Sequence, residues 1–157
     1  MAKAVTCTRR LQFCAGHRVH KHEGKCRALH GHNYVGYFTA QAKSVGQMEG
    51  KHLDILGRVI DFGVLKERIG GYIDEFIDHG FIVWIEDQEV IEALKLVLNQ
   101  KVYMISENPT AENIAKHLLD DICPKIFEDS PIEIIGIVLE ETENCFAEAN
   151  NAEARAT

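Results

Sequence analysis

The run Cys26-Arg27-Ala28-Leu29-His30-Gly31-His32-Asn33-Tyr34-Val35-Gly36-Tyr37-Phe38-Thr39-Ala40-Gln41-Ala42-Lys43 carries both the architecture and the candidate chemistry of this chain. From His30 to Lys43 it is rich in aromatic and β-branched residues, which reads as a strand. Alternation puts His30, His32, Tyr34, Gly36, Phe38 and Ala40 on one face. Upstream, Val5 to Cys14 mixes β-branched and long polar residues in loose alternation and reads as a partner strand. The two are expected to pair as an antiparallel hairpin. The loop between them, Ala15 to Leu29, holds His17, His20, Lys21, His22, Lys25 and Arg27, and long loops are where function concentrates.

The first seven residues of that run pack one thiol and two imidazoles together. His30 and His32, two apart on a strand, share a face, and a third imidazole, His17, lies upstream in Phe13-Cys14-Ala15-Gly16-His17. A lone His-x-His pair is commonly a surface or packing feature. Three neutral imidazoles on a tetrahedral Zn²⁺ would leave one position open, as catalytic rather than structural zinc sites do. Structural zinc more often uses paired cysteines, and no Cys-x-x-Cys occurs here. A nearby thiol outside the metal shell would be free to move protons.

Further along, Ser44 to Gly57 is turn-like. After Asp61, a helix cap, Leu65, Ile69, Tyr72, Ile73 and Phe76 form one apolar stripe. Gly70-Gly71 inside that helix costs about 1 kcal/mol per glycine relative to alanine, which a closely approaching strand would explain. Gln88 to Leu98 reads as a second helix with Val90, Ile91, Leu94, Val97 and Leu98 on one side. Lys101 to Ile105 reads as a short strand. Thr110 caps a third helix that buries Ile114, Ala115, Leu118, Leu119 and Ile122, and Pro124 ends or kinks it. Ile132 to Glu141 is a strand covered on both faces, and Asn144 to Asn150 completes a final hairpin. The expected class is α+β: an antiparallel ββ–helices–ββ sheet with its helices on one face.

With 157 residues, a single domain over 1–157 is the default, and the small polar residues 149–157 are expected to be a flexible tail. The net charge of −7 argues against a nucleic-acid partner held by a basic surface. No run approaches the roughly 18 apolar residues of a membrane span. Five irregularly spaced cysteines favour a reducing compartment, so a cytoplasmic location is expected.

Six motifs in order resemble the 6-pyruvoyltetrahydropterin synthase family, most closely its 6-carboxy-5,6,7,8-tetrahydropterin synthase branch of queuosine and deazapurine biosynthesis. They are Phe13-x-Ala15-Gly16-His17, Cys26-x-x-x-His30-Gly31-His32, Val59-Ile60-Asp61-Phe62 with Leu65-Lys66, Asp78-His79, Asn108-Pro109-Thr110-Ala111-Glu112-Asn113, and Glu141-Thr142. The three residues between Cys26 and His30 resemble the carboxytetrahydropterin branch; the biopterin-making branch usually has a longer gap. The resemblance implies the tunnelling fold, with subunits joining their sheets into a barrel, as a homohexamer of two stacked trimers.

The resemblance further implies that His17, His30 and His32 hold Zn²⁺, and that Cys26 takes and returns protons with Asp78 and His79 as its partners. Read alone, Asp78-His79 is a helix end with Gly80 at its left-handed position. Glu141 resembles the carboxylate that accepts two adjacent N–H groups of a pterin, with Glu112 and Thr110 as further substrate contacts. Lys21, His20, His22 and Arg27 are candidates to meet a triphosphate. The implied reaction converts 7,8-dihydroneopterin triphosphate to 6-carboxy-5,6,7,8-tetrahydropterin, acetaldehyde and triphosphate. Its rivals are a 6-pyruvoyltetrahydropterin synthase, a pterin- or zinc-binding protein without turnover, and a structural zinc module. Two departures stand out: a longer stretch between His79 and Asn108, and a last strand without the usual tyrosine-glycine ending.

Overall fold

The computed structural model describes residues 4–44 and 53–151. Part of the turn-like stretch expected over Ser44–Gly57, including Gly46 and Gly50, lies outside the described residues. Six strands are present: β1 (Thr6–His17), β2 (His30–Ala42), β3 (Gly80–Trp84), β4 (Val102–Ile105), β5 (Ile132–Thr142) and β6 (Cys145–Asn150). They form one sheet in the order β4-β3-β1-β2-β5-β6. Pairing is antiparallel from β1 through β6 and parallel where β3 joins β1 and β4 joins β3. The expected ββ…ββ core is there, but the sheet is mixed rather than wholly antiparallel. The short run that makes β3 lies in a stretch that carried no strand reading.

β1 continues three residues past the expected end at Cys14, so His17 belongs to the strand and not to the loop. The pairing then sets His17 opposite His30 and Ala15 opposite His32. Period-2 alternation gives β1 two different faces. Phe13, Ala15 and His17 are buried, while Thr6, Thr8, Arg10 and Gln12 are exposed.

Helices cover the buried face. Asp61 caps α1 (Phe62–Leu65), accepting the Gly63 N–H at 2.7 Å. A π-helical turn (Lys66–Gly70) leads without a break into α2 (Gly71–Phe76). Leu65, Ile69, Ile73 and Ile77 recur every fourth residue and are buried against the sheet. The close strand approach expected at Gly70-Gly71 is not found. A β-carbon on Gly70 would meet Leu11 at an ordinary 3.7 Å, and one on Gly71 would meet nothing within 4 Å. α4 (Ala111–His117) begins at the Thr110 cap and buries all five expected residues with its continuation, a second π-helical turn (Leu118–Ile122). α5 (Cys123–Ile126) follows at Pro124, whose missing N–H and bulky ring disfavour the regular α ladder there.

The remaining helix, α3 (Gln88–Lys95), breaks the one-face rule. On β3, Ile82 enters the main core, whereas Val83 packs with Val90 and Leu94 of α3 in a separate small cluster. Successive residues of a strand point oppositely, so α3 lies on the other face of the β3–β4 edge. It is also shorter than the expected Gln88–Leu98, because Val97 and Leu98 are 54% and 88% exposed and do not extend the buried stripe. At the chain end, Ala149 and Asn150 belong to β6 and the Asn151 N–H donates to the Ile135 carbonyl at 3.0 Å. The tail expected from 149 therefore starts inside the sheet; residues 152–157 lie outside the described residues.

Candidate metal centre and its surroundings

Strand pairing places three imidazoles on the helix-covered face at one end of the sheet. Ring centroids are 4.6 Å apart for His17–His30, 5.1 Å for His17–His32 and 4.9 Å for His30–His32. One ring nitrogen from each lies within 4.8 Å of the other two. Gly31 separates the two β2 ligands, and a β-carbon there would come within 3.0 Å of the Ala15 carbonyl oxygen. The tight crossing of β1 and β2 at this point thus has no room for a side chain.

Hydrogen bonds fix how two of the rings present themselves. The Nδ1–H of His17 donates to the Pro109 carbonyl at 2.7 Å, and that of His30 donates to the Ala28 carbonyl at 2.7 Å. A carbonyl oxygen can only accept, so in each neutral ring the proton sits on Nδ1 and Nε2 is bare. Those two Nε2 atoms face each other at 3.1 Å. Two nitrogens bound to one tetrahedral Zn²⁺ would stand about 3.3 Å apart. Nε2 of His32 is buried with no hydrogen-bond partner. Burial pushes the His17 imidazole down to about 4, the other two rings act in the same direction, and the Pro109 carbonyl opposes them. The His32 imidazole is also lowered by burial, against the pull of Glu141. Neutral imidazoles are the form that binds a metal ion, so the donor set fits a divalent cation that favours nitrogen.

Glu141 sits where β5 bulges between Glu140 and Thr142. Its Oε1 comes within 3.7 Å of His17 Nε2, with the carboxylate 22% exposed. The structure thus brings Glu141 to the imidazoles, not to an open strand end. Beneath them Tyr34 stacks on Phe13, and its buried hydroxyl has no partner. Thr110 and Glu112 lie at the start of α4, one and three residues past the Pro109 carbonyl that holds His17. Thr110 Oγ1 accepts the Asn113 N–H at 3.2 Å as the helix cap, and Glu112 is exposed.

Cys26 lies in a single 3-10 turn, Lys25–Arg27, two residues before the Ala28 carbonyl that orients His30. Its own carbonyl accepts the Val19 N–H at 2.8 Å, which closes the base of the loop. Asp78 and His79 follow the end of α2. Nδ1–H of His79 donates to Asp78 Oδ2 at 2.7 Å, and the other carboxylate oxygen accepts the Cys14 N–H at 2.8 Å. Burial acts to raise the Asp78 carboxyl, but these bonds hold it below the usual range. His79, not Gly80, adopts the left-handed conformation, at φ 59°. This corrects the glycine-capped reading and leaves an imidazole 80% exposed. A hollow of about 430 Å³ joins His79 to His30 and His32 across Cys14 and Asn33. Within one chain, then, the Asp78–His79 pair is bonded to the backbone of Cys14, whose Sγ donates to Asn33 Oδ1 at 3.0 Å.

Other features escaped the sequence reading. Arg18, directly after His17, makes a two-pronged contact with Asp87. Asn108 exchanges two hydrogen bonds with the backbone of His20. Of the candidate triphosphate contacts, His20 packs against Trp84 and His22 accepts the Gly24 N–H. Only a three-dimensional view pairs residues some 70 or 90 positions apart.

Comparison with known proteins adds independent findings. The family model described as 6-pyruvoyl tetrahydropterin synthase matches residues 6–152. A Rickettsia bellii protein named 6-carboxy-5,6,7,8-tetrahydropterin synthase is 44% identical over 144 residues, covering 92% of this chain and 99% of the relative. An uncharacterised protein of Wolinella succinogenes superposes with a TM-score of 0.73 at 20% identity, over 95% of this chain and 99% of its own. Plasmodium vivax 6-pyruvoyltetrahydropterin synthase superposes with a TM-score of 0.66 at 17% identity, over 95% and 98%. At such identities the two structures show a shared fold.

Proposed function

From its membership of the 6-pyruvoyl tetrahydropterin synthase family, which the match over residues 6–152 establishes, we propose that this chain is a 6-carboxy-5,6,7,8-tetrahydropterin synthase. It is a lyase acting on 7,8-dihydroneopterin triphosphate, releasing acetaldehyde and triphosphate, and it serves queuosine or deazapurine biosynthesis. The observation that carries the metal part of this reading is the pair of bare Nε2 atoms facing each other at 3.1 Å, beside a third buried and unpartnered ring nitrogen. Such an array calls for a cation. Zn²⁺ held by His17, His30 and His32 supplies Lewis-acid polarisation of substrate oxygens.

The protein's own residues do the rest. Glu141 accepts two parallel N–H bonds from the 2-amino-4-oxopyrimidine edge of the pterin, with Glu112 and Thr110 completing the contact at the start of α4. Cys26 takes a proton from the substrate side chain and returns it. Asp78 orients His79 by accepting its Nδ1–H, which leaves Nε2 as the atom that accepts a proton in turn. The site is completed in a homohexamer of two stacked trimers, and the chain acts as one cytoplasmic domain; its five free cysteines support a reducing compartment.

The test is to incubate zinc-loaded protein with dihydroneopterin triphosphate and identify the products. Acetaldehyde with 6-carboxytetrahydropterin is expected. Triphosphate release with the three-carbon side chain retained would instead mark a 6-pyruvoyltetrahydropterin synthase. Cys26→Ala should keep zinc and pterin binding but lose turnover. Because Cys14 lines the same hollow as His79, His30 and His32, near-normal turnover in Cys26→Ala together with its loss in Cys14→Ala would move the proton-carrying role to Cys14.

A further inference from the structure

We infer that Asp87 and Arg18 form a clamp that positions the loop carrying Cys26, so that α3 controls the geometry of the site from the opposite face of the sheet. This rests on the function proposed above. His17 and Arg18 are neighbours on an extended segment and therefore point oppositely. The imidazole turns toward the candidate metal centre, and the guanidinium turns toward α3. Arg18 Nε donates to Asp87 Oδ2 at 2.7 Å, and Nη2 donates to Asp87 Oδ1 at 2.6 Å and to Glu89 Oε2 at 2.8 Å. The Asp87 side chain is 3% exposed and that of Arg18 17%, so the pair is largely shielded from water, whereas Glu89 is 79% exposed. A planar two-pronged contact of this kind fixes direction as well as distance.

The clamp is joined to the reacting region by short links. Val19, the next residue, donates its N–H to the Cys26 carbonyl. Two residues beyond Cys26, the Ala28 carbonyl orients His30. His20 is pinned on the same side, with its ring against Trp84 and its backbone held by Asn108. Asp87 is also the cap of α3, accepting the Val90 N–H at 3.4 Å. The carboxylate thus ties a helix start to the first residue beyond a candidate metal ligand. Asp87 and Arg18 touch no reacting atom; they are positioning residues.

Asparagine caps a helix as well as aspartate does, so Asp87→Asn keeps α3 and removes the charged fork. Zinc-loaded wild type, Asp87→Asn, Arg18→Gln and Arg18→Lys would be compared in steady-state kinetics. In parallel, the rate of iodoacetamide labelling at Cys26 would be followed by peptide mass spectrometry, with exposed Cys145 as internal reference. Asp87→Asn and Arg18→Gln are expected to lower kcat roughly tenfold or more, with KM little changed, and to raise Cys26 labelling several-fold relative to Cys145. Arg18→Lys, which keeps one charged contact, should recover part of both effects. A wild-type labelling ratio in Asp87→Asn and Arg18→Gln would overturn the inference, whether or not activity falls, because the pair would then be a plain structural brace. Should wild type itself fail to turn over the pterin, the proposed function falls, while the labelling ratio still decides the clamp.

Discussion

Nδ1–H groups committed to the Pro109 and Ala28 carbonyls leave His17 and His30 with lone pairs aimed at one another. His32 adds a buried nitrogen without a partner. In the metal-free protein this arrangement is a liability, since an unsatisfied buried polar group costs about 1–3 kcal/mol. His32→Ala should therefore have opposite consequences in the two forms. Without metal, the relief of an orphaned nitrogen offsets lost ring contacts, leaving stability within about 1 kcal/mol of wild type. With zinc, the variant should bind far less ion and lose the ligand-linked increase in Tm. Elemental analysis together with melting of both forms checks this; full metal occupancy in His32→Ala would remove that residue from the site. Of the imidazole set, the His30–His32 pair was legible because alternation on one strand is a local rule. His17 was read in the loop and reaches them only through the pairing of β1 with β2. The approach of Glu141 to His17 has no local signal in the sequence, since it depends on a bulge. Arg18 and Asp87 were not legible at all, because either residue alone reads as a solvated charge.

Between elements, the helix from α1 to α2 shows how local rules and packing divide the work. Every fourth apolar residue was readable and is buried, but the π-helical turn at Lys66–Gly70 has no periodic signature in the sequence. Gly71 follows that turn with ordinary helical dihedrals, φ −61° and ψ −43°, and open space where a β-carbon would stand. Gly71→Ala should accordingly raise stability by about 1 kcal/mol, seen as a higher urea midpoint with an unchanged slope. A drop would mean that the position is crowded by something outside this chain. Gly16 is the contrast, since its added carbon would strike the Phe81 ring at 2.5 Å. The strand content was legible where alternation ran long. The five-residue β3 was not, because it gains its identity only by pairing with the end of β1 and with β4. α3 was read too long for a related reason: Val97 and Leu98 continue a helical stripe in sequence but reach past the strands that could bury it.

Seen whole, the described residues hold an antiparallel run β1-β2-β5-β6 in which β6 is the last strand on one side and β1 is only partly paired on the other. β6 ends the sheet, and β1 meets β3 only at Ala15 and Gly16, leaving Thr6 to Phe13 without a second strand among the described residues. The main helices all pack on one face, so the opposite face of this run, with Tyr37, Ile135 and Val138, is not covered by them. Long free edges invite pairing, and closing strands into a barrel abolishes them. The β1 border of one copy can receive the β6 border of the next, and a closed ring turns the bare face inward. Closed rings of identical subunits need this head-to-tail, heterologous contact. Native mass spectrometry of the zinc-loaded protein should then show three- and six-chain species, and dilution should not release single chains before the fold is lost. A stable monomer at micromolar concentration would sink the barrel. It would also require each site to be complete within one chain, with the Cys14 thiol, which lines one hollow with His79, His30 and His32, in place of Cys26.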